Sequence, residues 1–338
     1  MRVSDIGEFG LIAHIAKDIV TMRDGVVVGI GDDVAVLRAG GEKYLLATCD
    51  IQIEGIHFLR DKITPYQLGR KAVAINLSDI ASTGGAPTYL LISLAMSPDT
   101  PVEFIDELYE GMRAESGAAE VDIVGGNMAH SPERLMVDIF LLGEVEPEYL
   151  LLRSGARVGD KVLVTGNVGD SAAGLALLLD PTAQLSAAQA KPLLDAHLTP
   201  IPRLKEGRAI ARTGIATAMI DISDGTISDI GHICERSEVG ARLWAEALPI
   251  SKAARAAAEA TGKDALDFAL RGGEDYQLLF TAPPERTEEL AAAVREETGT
   301  PITAIGEIIP FEEGIQVVMP DGERLVSTEG GWDHFRKE

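Results

Sequence analysis

The chain has 338 residues, with 53 acidic and 30 basic side chains and a formal net charge of −23. This acidic balance argues against a general nucleic-acid binder and against a protein held on membranes by basic patches. The sequence lacks both a run of about 18 apolar residues, which a membrane helix needs, and the apolar core of a signal peptide near the N-terminus. Two cysteines, Cys49 and Cys234, are too few for a disulfide framework, so we expect reduced thiols in a cytoplasmic protein.

Strand-like and helix-like patterns alternate along the chain, which predicts an α/β fold of the α+β type. At about 150 residues per domain, the length predicts two domains. The pattern is interrupted near 144–152, so we expect an N-terminal domain at 1–147 and a C-terminal domain at 148–338. Predicted strands are 26–30, 44–48, 89–96, 121–124, 135–142, 161–165, 218–221, 276–281, 302–308 and 315–319. Predicted helices begin at Thr64-Pro65 and at a capping box from Thr100, and cover 170–179, 226–235 and 252–260.

The helix that begins at Thr64 has an unusual acidic residue. Leu68, Ala72, Ile75 and Asp79 recur at three- and four-residue spacing, so Asp79 shares a face with apolar side chains. A carboxylate that only meets solvent would lie on the opposite face.

Three common nucleotide and metal signatures are absent from the sequence. No P-loop occurs, since Gly262-Lys263 is followed by Asp264, and Gly29-Ile30-Gly31 lacks the third glycine of a dinucleotide fingerprint. The two cysteines lie too far apart in the sequence for a zinc-binding pair.

What remains is a set of acids beside glycines or hydroxyl residues, mostly where predicted strands end. Two carboxylates about 4 Å apart repel by roughly 4 kcal/mol at an effective dielectric constant of 20. If several converge, they must bind cations or take up protons, and oxygen ligands suit Mg²⁺. Alternatively, each acid caps a helix or turn by itself, which is the simpler interpretation of any single motif. The motifs are Gly31-Asp32-Asp33, Thr48-Cys49-Asp50, Asn76-Leu77-Ser78-Asp79, Asp221-Ile222-Ser223-Asp224-Gly225 and Gly272-Gly273-Glu274-Asp275.

In this order, the motifs resemble those of the thiamine-monophosphate kinase family, in the ATP-binding superfamily that includes aminoimidazole ribonucleotide synthetase. No single motif is specific, but the ordered series covers essentially the whole chain. Further matching segments are Gly7-Glu8-Phe9, Glu54-Gly55-Ile56-His57-Phe58, Arg153-Ser154-Gly155-Ala156, Gly169-Asp170-Ser171-Ala172-Ala173-Gly174 and Gly331-Trp332-Asp333-His334-Phe335.

The resemblance implies ATP-dependent phosphorylation of thiamine monophosphate to thiamine diphosphate, by direct in-line transfer of the γ-phosphoryl group. It implies several Mg²⁺ ions and a two-domain fold like that of aminoimidazole ribonucleotide synthetase. It also implies a homodimer in which N-terminal sheets pair, with each active site in the cleft between domains. No residue is assigned as a general base, because a loose phosphoryl-transfer transition state needs charge neutralisation and positioning more than covalent catalysis.

The resemblance assigns roles residue by residue. The metal ligands it implies are Asp33, Thr48, Cys49, Asp50, Asp79, Asn127, Asp221 and Asp224. Its ATP-binding residues are Gly126, Asn127, Arg153 and Ser223, and its substrate-binding residues are His57, Glu274 and Trp332. For three of these an alternative stays open: a surface salt bridge for Arg153, a structural histidine at His57, and a core-sealing Trp332. Asp170-Ser171 is expected to cap its own helix and lies outside the predicted site.

Two departures from the family pattern stand out. Family members commonly have aspartate where this chain has Asn127, and Ser-Thr-Asp where it has Thr48-Cys49-Asp50. An amide loses a charge, and a thiol is a poor Mg²⁺ ligand. A non-catalytic nucleotide- or metal-binding paralogue, or another synthetase of the superfamily, is therefore the alternative function.

Overall fold

The computed structural model describes residues 2–17, 19 and 23–327, and within these it contains ten α-helices and two β-sheets. Trp332 and the surrounding motif lie outside the described residues. None of the described helices is both long and apolar enough to span a bilayer.

The first sheet has six strands in the order β1-β2-β3-β6-β4-β5, all antiparallel except the β4–β5 pair. Helices α2 and α3 pack on one face of this sheet and share a hydrophobic core with it. The elements of this part are α1 (Val3–Ala16), β1 (Val26–Val28), β2 (Ala35–Leu37), β3 (Tyr44–Ile53), α2 (Pro65–Ser82), β4 (Ala86–Met96), α3 (Val102–Ala118), β5 (Asp122–His130) and β6 (Met136–Val145).

Helix α2 begins where the sequence predicts. The Thr64 hydroxyl accepts a hydrogen bond from the Gln67 amide at 3.2 Å, and Pro65 is the first helical residue. The prediction that Thr100 caps α3 is wrong, because Pro101 precedes the helix and makes no side-chain cap. The two helices cross closely, since a Cβ at Gly69 would lie 2.0 Å from the Leu108 carbonyl oxygen.

The other face of the first sheet carries apolar side chains that remain exposed. Ile51, Tyr89, Leu91 and Phe140 are 37–49% exposed. Adjacent strands place these residues on one face, because Phe140 is opposite Leu91 in the β4–β6 register and side chains alternate along each strand. No helix of the described chain covers this face.

The second sheet has seven strands in the order β13-β12-β9-β11-β7-β10-β8, antiparallel except for β9–β12. A short 3-10 helix, Pro147–Tyr149, lies at the proposed boundary between residues 1–147 and 148–338. The elements are β7 (Lys161–Thr165), α4 (Asp170–Leu179), α5 (Ala187–Leu198), α6 (Leu204–Thr213), β8 (Ala218–Asp221), α7 (Thr226–Ser237), β9 (Gly240–Trp244), α8 (Lys252–Thr261), α9 (Ala265–Arg271), β10 (Leu278–Ala282), α10 (Thr287–Thr298), β11 (Ile302–Ile309), β12 (Ile315–Val318) and β13 (Arg324–Ser327).

The central strands of this sheet are apolar on both faces because helices cover both. In β7, Val162 and Val164 belong to the core that α7 contributes to, whereas Leu163 packs with residues of α6 and α10. This explains why the sequence of β7 is a continuous apolar run without alternation.

Helix α2 lies between the two sheets. It packs on the first sheet and also contacts α6 and β8. A Cβ at Gly207 of α6 would lie 2.1 Å from the carbonyl oxygen of Ala81, so the two helix backbones are nearly in contact. Polar residues of α2 can therefore meet polar residues of the second sheet.

Candidate active site

Three of the predicted acids converge at this junction. Asp33 follows β1, Asp79 lies on α2 and Asp221 ends β8, and one carboxylate oxygen from each lies within 4.8 Å of the others. Asp33, Asp79 and Asp221 therefore do not act as separate caps, and the buried face on which the sequence places Asp79 is the face of this cluster.

Hydroxyl groups hold the three carboxylates in place. Thr48 donates to Asp79 Oδ2 at 2.5 Å, Ser82 donates to Asp33 Oδ2 at 2.5 Å, and Ser78 donates to Asp221 Oδ2. Asp50 is held next to them, since its amide donates to the Asn76 side chain at 3.1 Å and its charge acts on Asp79 and Asp221.

The cluster favours protons when no cation neutralises it. Burial raises the pKa of Asp79 well above its usual value, and the charges of Asp50 and Asp221 raise it further. Burial and then the charge of Asp33 raise the pKa of Asp221 to about 8. Crowded carboxylates of this kind are a donor set that Mg²⁺ fits, because the ion supplies the charge that the protein itself leaves unbalanced.

Arg153 lies against the cluster. Its Nε donates to Asp33 Oδ1 at 2.9 Å, Nη2 contacts the same oxygen, and its amide donates to Asp32 Oδ2 at 3.2 Å. The Arg153 side chain is 20% exposed and that of Asp33 is 1% exposed, so this is a partly buried pair and not a surface salt bridge. Burial, and then the charge of Asp33, raise the pKa of Asp32 to about 6.

A second group of polar residues surrounds Glu274. Glu274 Oε1 lies 2.8 Å from Lys71 Nζ, and Oε2 lies 3.3 Å from His197 Nδ1. His57 is an electrostatic neighbour of Glu274, and its Nδ1 accepts from the Ile53 amide at 2.9 Å. That bond assigns the proton of the neutral ring to Nε2.

The turn that carries Glu274 is tightly held. Glu274 and Tyr276 have φ angles of 64° and 49°, which non-glycine residues rarely adopt. Asp275 between them accepts from the amides of Gly169 and Ser171, at 2.5 and 3.0 Å, at the start of α4. The expectation that Asp170-Ser171 caps this helix is therefore wrong, because Asp275 supplies the cap from a distant part of the chain.

A third cluster contains two residues that the sequence analysis missed. Asp224, Asp229 and His232 each place one potential ligand atom within 4.8 Å of the others. Asp229 accepts from the Gly225 amide at 3.1 Å and so caps α7. The sequence could have indicated this pair, because Asp229 and His232 are three residues apart on one helix and so lie on the same face. The carbonyl oxygen of Ser223, the residue before Asp224, accepts a hydrogen bond from the Glu274 amide at 2.7 Å.

Cys49, Gly126 and Asn127 do not join the aspartates. Cys49 lies between Thr48 and Asp50 in β3, so its side chain points to the opposite face of the sheet. Gly126 and Asn127 lie on β5, three strands from β3 and so roughly 14 Å away, at about 4.8 Å per strand. The register aligns Asn127 with Ser93 and places it on the exposed face. Within one chain, the Cys49 thiol and Asn127, both predicted metal ligands, and Gly126, predicted to bind ATP, are therefore separate from the cluster. Only the backbone of Cys49, between Thr48 and Asp50, stays beside it.

Comparison with known proteins gives a consistent result. Residues 31–145 match the family described as AIR synthase related protein, N-terminal domain, and residues 157–318 match its C-terminal domain. The thiamine-monophosphate kinase of Aquifex aeolicus is 38% identical over 335 residues, covering 99% of this chain and 100% of that protein. The Escherichia coli K12 enzyme of the same name is 38% identical, covering 97% and 98%.

A solved structure described as AaThiL complexed with AMPPCP and TMP superposes with a TM-score of 0.86 at 37% identity, covering 99% of both chains. This confirms the expected two-domain fold like that of aminoimidazole ribonucleotide synthetase. The chain therefore belongs to the thiamine-monophosphate kinase family of the AIR synthase related proteins.

Proposed function

We propose that the protein transfers the γ-phosphoryl group of ATP to thiamine monophosphate, giving thiamine diphosphate and ADP. The observation that carries this proposal is the convergence of Asp33, Asp79 and Asp221, with Arg153 beside them, where the two α/β units meet. The names of the relatives, and the ATP analogue and TMP named for one solved structure, support the same reaction.

Several Mg²⁺ ions are part of the proposal. Asp33, Asp50, Asp79 and Asp221 would hold them, with the Thr48 hydroxyl nearby and Asp224 contributing from the third cluster. Bound there, the ions would neutralise and orient the phosphate oxygens of ATP. Without them, Asp79 and Asp221 keep protons, and a negative triphosphate would meet a site with too little positive charge.

The protein's own side chains bind and position the reactants. Arg153 can exchange its two-nitrogen contact with Asp33 for a phosphate, since guanidinium pairs with both kinds of anion. The acceptor needs no general base, because a phosphate monoester with a second pKa near 6 is mainly a dianion at neutral pH. Its oxygen can attack the γ-phosphorus once the two are aligned.

At the acceptor end, Glu274 and His57 would bind thiamine monophosphate. The Glu274 carboxylate suits the fixed positive charge of the thiazolium ring, and His57 Nε2–H suits a phosphate oxygen. Ser223, which precedes Asp224 and whose carbonyl oxygen accepts from the Glu274 amide, would contact ATP with its hydroxyl. Trp332 stays a prediction from the sequence, in which its ring stacks on a thiamine ring.

We further propose a homodimer formed through the exposed apolar face of the first sheet, the face that carries Ile51, Tyr89, Leu91 and Phe140. A large exposed apolar face typically marks an interaction site. Asn127 lies on this face as well, so in such a dimer it would lie in the interface and would act on nucleotide or metal from there. We expect the reaction to take place in the cytoplasm, where ATP is supplied and where Cys49 and Cys234 stay as the free thiols seen here.

A Mg²⁺-dependent turnover assay with thiamine monophosphate tests the proposed reaction, with thiamine diphosphate measured directly and purine-pathway substrates as controls. We expect thiamine diphosphate to form in proportion to ADP. Binding of ATP and thiamine monophosphate without turnover would favour the non-catalytic paralogue, and turnover of a control substrate instead would favour another synthetase.

A further inference from the structure

Lys71 is a charged residue that the proposed reaction leaves without a role. It lies on α2 with its side chain 1% exposed, and its ammonium is 2.8 Å from Glu274 Oε1. The Glu274 side chain is 26% exposed, so Glu274 is the more accessible member of the pair and Lys71 the enclosed one.

We infer that Lys71 is a positioning residue that keeps Glu274 charged and oriented for the cationic part of the acceptor substrate. The inference rests on the proposed function, because it takes Glu274 as the residue that meets thiamine. Lys71 belongs to α2 in the first α/β unit and Glu274 to the turn after α9 in the second, so the pair also links the two units.

The backbone around Glu274 leaves its side chain dependent on such a partner. The turn is held by hydrogen bonds from Glu274 N to Ser223 O at 2.7 Å and from Tyr276 N to Ile222 O at 2.8 Å. These bonds fix the main chain at a left-handed residue but do not touch the carboxylate. The carboxylate is oriented by Lys71 on one oxygen and His197 on the other.

The other titratable groups near Glu274 do not replace the lysine. Burial, and then the charge of Lys71, lower the pKa of His197 to about 4, so at neutral pH its ring is uncharged; it also contacts the Ser171 hydroxyl at 3.1 Å. Burial, and then Glu274 itself, raise the pKa of the Tyr276 phenol. His57 adds only a smaller effect on Glu274. Lys71 is thus the main positive charge acting on this carboxylate.

The consequence is a specific pH dependence. Burial, the largest single effect, would raise the pKa of Glu274, but the charge and hydrogen bond of Lys71 together with the charges of His197 and His57 lower it, so the pKa lies below its usual value. Without the lysine, burial dominates and Glu274 takes up a proton at a higher pH. Affinity for the cationic substrate should then fall as the pH falls, while the chemical step at the aspartate cluster is left intact.

The test compares Lys71→Met and Lys71→Arg with a matched control, Arg70→Met. Arg70 is the preceding residue of α2 and pairs at 2.8 Å with Glu115 of α3, within the first α/β unit. The Michaelis constant for thiamine monophosphate and kcat are measured between pH 6 and pH 9 at saturating ATP and Mg²⁺. For Lys71→Met we expect the Michaelis constant to rise about tenfold near pH 6.5 and to recover towards pH 9, with kcat changed less than about threefold. Lys71→Arg should restore most of the affinity, and Arg70→Met should keep the wild-type profile.

A Michaelis constant that does not change in Lys71→Met, or one that rises equally at every pH with a matching loss of kcat, would overturn the inference. If Lys71→Met does not fold, the variant Lys71→Met/Glu274→Gln removes both charges together. We expect it to fold and to bind thiamine monophosphate no more weakly than Glu274→Gln alone, and clearly weaker binding would also overturn the inference. If the wild type binds thiamine monophosphate but does not phosphorylate it, the proposed function fails, and the same pH profiles of affinity, measured by calorimetry, still decide the role of Lys71.

Discussion

The hydroxyl of Ser78, on α2 of the first α/β unit, donates a hydrogen bond to the carboxylate of Asp221, at the end of β8 in the second. Ser78 is 0% exposed and Asp221 is 3% exposed. The acid cluster is therefore assembled only when the two units are docked, and its charge is a property of their junction.

Removing the charge of Asp221 should stabilise the metal-free protein. Because the pKa of Asp221 is raised from 3.8 to about 8, its contribution to stability is present at low pH and is lost as the pH rises through about 8. Asp221→Asn removes this loss and keeps an oxygen that accepts from Ser78. We therefore expect its Tm to be several degrees above that of the wild type at pH 8.5, and to change less with pH between pH 6 and pH 9. Thermal melts without ligand measure this gain in Tm. Melts with Mg²⁺-ATP measure how much less the ligand raises the Tm of the variant than that of the wild type. Asp267→Asn, an exposed carboxylate paired with Arg271, is the control; equal melts for the two variants would contradict the prediction.

Removing the guanidinium of Arg153 should weaken ATP binding and the apo fold together. Arg153→Met leaves Asp33 buried without its cation, a change that typically costs about 3–5 kcal/mol. We expect the Michaelis constant for ATP to rise about tenfold or more, with Arg153→Lys intermediate because it keeps the charge but loses the two-nitrogen contact. Steady-state kinetics with varied ATP measure the effect. The control is Arg212→Met, which removes one member of the exposed Arg212–Glu297 pair. An unchanged Michaelis constant for ATP in Arg153→Met would exclude a contact between Arg153 and the nucleotide.

Asn127 offers a gain-of-function test. An amide supplies a carbonyl oxygen but no charge, so we expect wild-type enzyme to need more Mg²⁺ than its Asn127→Asp variant, which restores the common family residue. Turnover is measured during a Mg²⁺ titration at saturating substrates. If the aspartate variant is no better at limiting Mg²⁺, Asn127 does not act on a metal ion.

The exposed face of the first sheet should hold two copies together. Phe140 is 37% exposed on this face, and a charge there would be buried on association. We expect Phe140→Arg to shift the protein from dimer to monomer in light scattering and to lower turnover at low protein concentration. Phe311→Arg, at a residue 63% exposed on the second unit, should remain dimeric. A monomeric wild type, or a dimeric Phe140→Arg, would contradict this interface.

Much of the site could be predicted from local sequence, because its residues lie at the ends of apolar segments. Helix α2 was recognisable from Thr64-Pro65, and Asp79 from its place on the apolar face. Alternation along β3 would also have shown that Cys49 cannot share a face with Thr48 and Asp50. Lys71 gave no such signal, since its partner Glu274 is fixed only by the docking of two distant elements.

The central claim is that acids from both units gather around a metal-bound triphosphate. Crystals grown with Mn²⁺ and a non-hydrolysable ATP analogue test it most directly, because Mn²⁺ takes the same oxygen ligands as Mg²⁺ and is located by its anomalous scattering. We predict anomalous peaks bonded to Asp33, Asp79 and Asp221 and to the phosphate oxygens. An ordered triphosphate whose manganese ions lie elsewhere, with these three carboxylates turned away from it, would contradict the account.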